Sequence, residues 1–340
     1  MSKKLKLYKA TKTIMWRVKH LGCFILLFIT SICYGQQNTY DFVVAKDGSG
    51  DFTTVQAAID AVPDFRDEET IIFIKRGIYK EKLILPTSKT SVTFIGEDVE
   101  ETILTYDDYA SKKNRFGEEM GTTGSSSFFL FGDGFTAYNI TFQNAAGPVG
   151  QAVAVRVDSD RAVFVNCRFL GFQDTLYTHG QNSRQYYKYC YIEGKTDFIF
   201  GSSTAVFDSC LIFCKKGGSY LTAASTDKGK KFGYVIMNSR ITGNAPAESY
   251  YLGRPWRPYA KVVVMNTYLD NHIKPKGWHN WGDPEKEKTV FYAEYQNKGP
   301  GFQPKNRVSW SYQLSDKEAS SYTLVQIFDG WNPLERIENY

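Results

Sequence analysis

The chain has 340 residues, 42% of them hydrophobic, enough for one large domain or two modest ones whose core needs no disulfide or metal to hold it. Its formal charge of +5 comes from the first 35 residues, where seven Lys/Arg lie between Lys3 and Lys19 with no acidic residue; without those seven the balance is −2. The basic surplus therefore gives no support to nucleic acid as a partner.

The chain opens with a basic stretch, the apolar run "LGCFILLFITSIC" and then "YGQQ". This is the form of a secretory signal over residues 1–35, with cleavage near Gly35 and a destination outside the cytoplasm, either secreted or in the periplasm or cell envelope. The apolar run is short for a membrane span, so the mature chain is expected to have none; a retained N-terminal anchor is the alternative. An acylated lipoprotein is disfavoured, because the residues before Cys23 and Cys33 make no convincing acylation box. Cys167, Cys190, Cys210 and Cys214 remain downstream. Export permits disulfides among them without a domain of this size requiring any.

Next, "DFTTVQAAIDAVPD" (51–64) is the clear amphipathic helix, with Val55, Ala58, Ile59 and Val62 on one side. It is followed by "GIYKEKL" (77–83), whose Tyr79 and Glu81 read as structural, and by the long polar stretch 106–124. From there a phrase recurs: "YNITF" (138–142), "VNCRF" (165–169), "KYCYI" (188–192), "DSCLI" (208–212), "MNSRI" (237–241) and "MNTYL" (265–269). Ile140, Cys167, Cys190, Cys210, Ser239 and Thr267 share one slot, at steps of 27, 23, 20, 29 and 28 residues. Short β-branched and aromatic segments with an uneven period fit the turns of a parallel β-helix with corner loops of variable length. A β-sandwich of look-alike strands is the competing reading. The helix at 51–64 would then cover the open end of the solenoid. No linker interrupts the chain, so a single all-β domain is expected from about 38 to 338.

The repeat carries chemistry. Asp174 in "GFQDTLY" (171–177) and Asp197 in "DFIFG" (197–201) each lie seven residues beyond a repeat cysteine. Stacking Cys167 over Cys190 stacks the aspartates too, roughly 5 Å apart at the usual strand spacing. Two carboxylates that close cannot both ionise easily, so one can hold a proton while the other serves as nucleophile or base. No G-x-S-x-G elbow and no H-E-x-x-H occurs, and the histidines outside the leader are His179, His272 and His279. A dispersed Ser/His/Asp triad stays open, and the spacing alone suits a retaining glycosidase equally well.

"GSGDFTTVQAAIDAVP", "GIYKEKL", "QAVAVRV" (151–157), "GFQDTLY", "DFIFG" and "LGRPW" (252–256) occur in the order and approximate spacing of the pectin methylesterases, which the chain resembles over nearly all of its length beyond the leader. The resemblance implies a right-handed parallel β-helix that hydrolyses galacturonate methyl esters in pectin (methylated homogalacturonan), without a metal or organic cofactor and as a monomer. It implies Asp197 as nucleophile, Asp174 as acid/base, Gln151 and Gln173 at the oxyanion, Arg254 holding the nucleophile and Trp256 against the sugar. A substrate-contacting threonine falls near Thr123, where "GTTGSSSF" departs from the family's usual pattern. The glutamines and the arginine favour an ester carbonyl over a glycosidic bond. A non-catalytic carbohydrate-binding or surface solenoid would be expected to lack the carboxylate pair.

Overall fold

A computed structural model describes residues 40–337. The leader read at residues 1–35, with its cleavage point and Cys23 and Cys33, lies outside the described residues. Among those described, the strands form three sheets of eleven, seven and eight strands, and every pairing within them is parallel. Successive segments of chain join the three sheets in rotation: Ala162–Val165 enters the eleven-stranded sheet, Arg168–Leu170 the eight-stranded and Leu176–Thr178 the seven-stranded one. Arg184–Lys188, Tyr191–Gly194 and Thr196–Gly201 then repeat the circuit one layer on. The architecture is a right-handed parallel β-helix.

The repeat slot is real in space. Arg168 pairs with Thr141 and Tyr191, Leu211 with Tyr191 and Arg240, and Arg240 with Tyr268, which puts the residues just before them, Ile140, Cys167, Cys190, Cys210, Ser239 and Thr267, in one column. The residue preceding each slot is left-handed: Asn139, Asn166, Tyr189, Ser209, Asn238 and Asn266 have φ between +50° and +57°. Asparagine tolerates that conformation better than most residues, which explains why it recurs at the corner. Asn166 also donates a side-chain hydrogen bond to Asn139 one turn below, at 2.8 Å. The four cysteines are buried free thiols, and burial pushes the Cys167 thiol up to about 12. At that value it is neither a nucleophile nor a ready metal ligand.

Inside the coil, aromatic rings stack from turn to turn. Phe164 lies on Tyr187 at 5.0 Å, and Tyr187 on Phe207 at 4.8 Å, both pairs nearly coplanar. Much of the 16% aromatic content is therefore core rather than binding surface.

Val55–Ala61 forms the expected helix at the N-terminal end, and Val55, Ala58, Ile59 and Val62 all enter the main core. Val62 is already extended, as a residue before Pro63 should be. Thr54 caps the helix through its hydroxyl, and the Glu81 carboxylate accepts from the Val55 and Gln56 amides at 3.0 Å each. Glu81 is thus the structural anchor its motif suggested, an anion on the helix N-terminus. Glu81→Ala should lower stability by about 0.5–2 kcal/mol, read as a shift in the urea midpoint.

Beyond the one amphipathic helix expected, the chain ends in short helical turns at Asp316–Ala319, Leu324–Ile327 and Leu334–Ile337. Four residues are too few to display a helical period, so no pattern announced them. They bring Ala319, Ile327 and Phe328 onto the outer face of the eleven-stranded sheet, against Val163, Tyr186, Val206 and Val235.

Candidate active site

The residues singled out in the sequence collect on the outer face of the seven-stranded sheet. Gln151 pairs with Gln173, and Gln173 with Thr196, as isolated parallel bridges, so Asp174 lies directly across from Asp197 on adjacent turns. The strand register onward, Leu176 with Ile199 and Tyr177 with Phe200, keeps the same offset. Asp174 stands in a bend just before Leu176–Thr178, and Asp197 stands at an irregularity where the register to the next turn shifts between Thr196 and Ile199. Both aspartates are left-handed, with φ of +63° and +51°. Aspartate accepts that conformation, and bulges of this kind re-aim side chains out of the sheet plane.

Arg254 reaches Asp197 from the end of Tyr251–Gly253, donating from Nε to Oδ1 at 3.0 Å and from Nη2 to Oδ2 at 2.6 Å. Its guanidinium is sandwiched, 3.6 Å from the centroid of Trp281 and 3.9 Å from that of Tyr220, so both its plane and its direction are set. The Asp174 carboxylate has no hydrogen-bond partner among the described residues.

This asymmetry divides the pair. Burial, then the Asp197 charge, hold Asp174 well above the usual carboxylate range. Burial raises Asp197 as well, but there the Arg254 hydrogen bonds and charge pull against it. Asp197 is thus raised, though less than its neighbour. When the pair carries one proton, Asp174 has it.

A group whose pKa is higher folded than unfolded stabilises the fold below its unfolded value, and that contribution is lost as pH rises through the folded one. Asp174→Asn should therefore be more stable than the parent at neutral pH, by about 0.5–2 kcal/mol as is common when a strained functional group is removed. The gain should shrink as the pH drops toward 4, which thermal melts across pH 4–8 would read.

The pocket around the pair has a volume of about 480 Å³ and is lined by Thr123, Gln151, Gln173, Asp174, Asp197, Arg254 and Trp256, every residue singled out in the sequence. It also contains Tyr177, Phe200, Ala223 and Trp281, which were not read as site residues. Tyr177 and Phe200 stack at 4.3 Å and, with Trp256 and Trp281, form an apolar wall. Their signal was available, since "DTLY" and "DFIF" place an aromatic three residues after each aspartate. Trp281 lies in a loop outside the repeat and had no such marker. Thr123, in the short helix Gly121–Gly124, sits beside the Tyr177 side chain at the rim. The Gln151 and Gln173 side-chain amides make no hydrogen bond to any described residue, so their N–H groups are available to a ligand. Among the described residues no cluster of His, Cys, Asp and Glu could hold a metal, and no helix is long and apolar enough to cross a membrane.

A family model described as Pectinesterase matches residues 41–331. The chain belongs to the pectinesterase family. It is 46% identical over 292 residues to Pectinesterase 31 of Arabidopsis thaliana, an alignment covering 84% of this chain and 91% of that one. It is 41% identical to the probable pectinesterase/pectinesterase inhibitor 13 of the same plant, of which it spans about half, 48%. Among solved structures it is similar to pectin methylesterase from carrot, at 37% identity and a TM-score of 0.78, covering 86% of this chain and 94% of that one. It is also similar to a pectin methylesterase in complex with a hexasaccharide, at 31% identity and a TM-score of 0.75, covering 87% and 98%.

Proposed function

We propose that this pectinesterase-family chain hydrolyses the methyl esters of galacturonate units in pectin, releasing methanol and leaving pectate, by covalent catalysis on Asp197. One observation carries the reading: of two carboxylates facing each other across adjacent turns, one is gripped by Arg254 and the other is left unpartnered and buried.

An Asp197 oxygen attacks the ester carbonyl carbon, and the carbonyl oxygen takes up the negative charge between the Gln151 and Gln173 amides. The tetrahedral species collapses by expelling the methoxy group, which takes the Asp174 proton and departs as methanol. The resulting acyl-Asp197 is an anhydride. Asp174, now ionised, takes a proton from a water whose oxygen attacks the acyl carbon. This frees the galacturonate carboxylate and restores both aspartates. Arg254 stabilises Asp197 as the carboxylate leaving group of that second step, and the wall of Tyr177, Phe200 and Trp256 receives the sugar ring and the methyl group. Thr123 contacts the substrate from the rim. Export of the mature chain to where pectin is met accords with the leader-like first 35 residues.

The test is product analysis on highly methylated pectin. Methanol should appear with no new reducing ends and no unsaturated products. Chain cleavage without methanol would replace this reading with a glycosidase or lyase on the same carboxylates, and binding without any product would leave a carbohydrate-binding solenoid.

A further inference from the structure

Gln173 and Asp174 sit on the bend 171–175, at the corner where the chain leaves the eight-stranded sheet for the seven-stranded one. Asp174 is left-handed there, a conformation that an L residue keeps only where its surroundings fix it. Much of the fixing is done by backbone. The Phe172 carbonyl accepts from the Lys195 amide at 2.7 Å and the Gln173 carbonyl from the Ala152 amide at 3.1 Å, while the Asp174 amide donates to the Thr196 carbonyl at 3.1 Å. The entrance to the bend is held differently. The Gly171 carbonyl accepts from a side chain two turns along, the Lys215 Nζ, at 3.0 Å. The same ammonium pairs with the Glu193 carboxylate on the turn between, and lies 4.1 Å from the Phe172 ring centroid. Glu193 is oriented in turn by the Tyr191 hydroxyl, which donates to Oε2 at 2.9 Å, and its backbone carbonyl accepts from the Thr175 hydroxyl at 3.0 Å. One ion pair thus touches both ends of the bend, Gly171 and Phe172 through its cation and Thr175 through the Glu193 backbone. Its side chains are only 21% and 16% exposed, so water and salt screen it weakly. The bend has little slack, because a Cβ on Gly171 would stand 2.6 Å from the Thr175 Oγ1. Neither Lys215 nor Glu193 lines the pocket, and neither has a part in the scheme above.

We infer that Lys215 is a positioning residue for Gln173 and Asp174: its ammonium, anchored by Glu193, holds the Gly171 carbonyl and so sets where the Gln173 amide and the Asp174 proton meet the ester. The effect on catalysis rests on the pectinesterase reading; the hold on the bend does not. A hydrogen bond from an ammonium is shorter and stronger than a neutral one, which suits it to fix a strained turn. A displacement of about 1 Å at a reacting group can lower the rate by about 100-fold. Lys215 touches no reacting atom and no pocket surface, so its loss should be felt in turnover and not in substrate affinity.

Lys215→Met keeps an apolar stem beside Phe172 and removes the ammonium. It should lower kcat for methanol release by about 10–100-fold with KM within about threefold of the parent, and Lys215→Arg, which restores a cationic donor, should recover most of kcat. Lys215→Met also leaves Glu193 without its cation, which by itself lowers stability. The double variant K215M/E193Q removes that charge, so its urea midpoint should return toward the parent's while kcat stays low. An unchanged kcat in Lys215→Met, a loss confined to KM, or a kcat that recovers with stability in the double variant would overturn the positioning role. Hydrogen exchange read by mass spectrometry gives an answer independent of turnover. Peptides covering 171–178 should exchange faster in Lys215→Met and in K215M/E193Q, and at the parent's rate in Lys215→Arg. Unchanged exchange there in both Met variants would show that Lys215 does not hold the bend. The two readings fail separately: a parent that releases no methanol refutes the esterase, while the exchange still decides what Lys215 does.

Discussion

Replacing Asp197 by asparagine is expected to lower methanol release from methylated pectin by about 10⁴-fold or more, the scale seen when a covalent nucleophile is removed while the binding groups remain. Asparagine is the better probe of the two obvious changes, because position 197 is left-handed with φ +51°. Alanine there would add backbone strain of about 1–2 kcal/mol to the chemical loss. Arg254 keeps its place in either variant, held between Trp281 and Tyr220, so the pocket wall and the fold persist. Far-UV circular dichroism should match the parent, and binding of a pectin oligosaccharide should survive. Activity within tenfold of the parent in the folded variant would remove Asp197 from the nucleophile's role and return the question to Asp174.

Arg307→Ala should be the most damaging single change to stability, at about 3–5 kcal/mol. Glu294 on Phe291–Tyr295 is fully buried, and Arg307 grips it through Nε at 2.6 Å and Nη2 at 3.1 Å. The guanidinium also donates to the carbonyls of Lys274, Pro275 and Gly301, which joins three loop segments at the C-terminal end of the coil. Gly277 makes room for it: its φ is +67°, and a Cβ there would stand 2.5 Å from the Arg307 Cδ. Removing the arginine leaves a carboxylate in the interior whose one remaining partner among the described residues is the Asn297 amide. Denaturant unfolding would measure the loss. A double change that removes Glu294 as well, R307M/E294L, should recover part of it, because no unpaired charge then remains. A loss under 1 kcal/mol for Arg307→Ala would show that water reaches Glu294.

The sequence by itself determined the coil and its register. A slot shared by Ile140, Cys167, Cys190, Cys210, Ser239 and Thr267 is one column of the solenoid, since each turn repeats a corner whose buried residue must pack on the one below. The same arithmetic brought Asp174 opposite Asp197 without any long-range information, because in a stacked fold sequence offset and spatial neighbour are the same quantity. The capping helix and the Glu81 anchor were legible for a related reason: their signals are local periods and end-caps.

What lies off the repeat was decided only in three dimensions. Trp281 comes from a loop with no periodic marker, yet it completes the setting of Arg254 and lines the pocket. The Glu294–Arg307 pair, thirteen residues apart, is likewise invisible until the chain folds back over the end of the coil. The balance at Asp197 belongs to the same class. The sequence named its arginine, but the depth of burial, which raises the carboxylate against that arginine, depends on every layer packed around it.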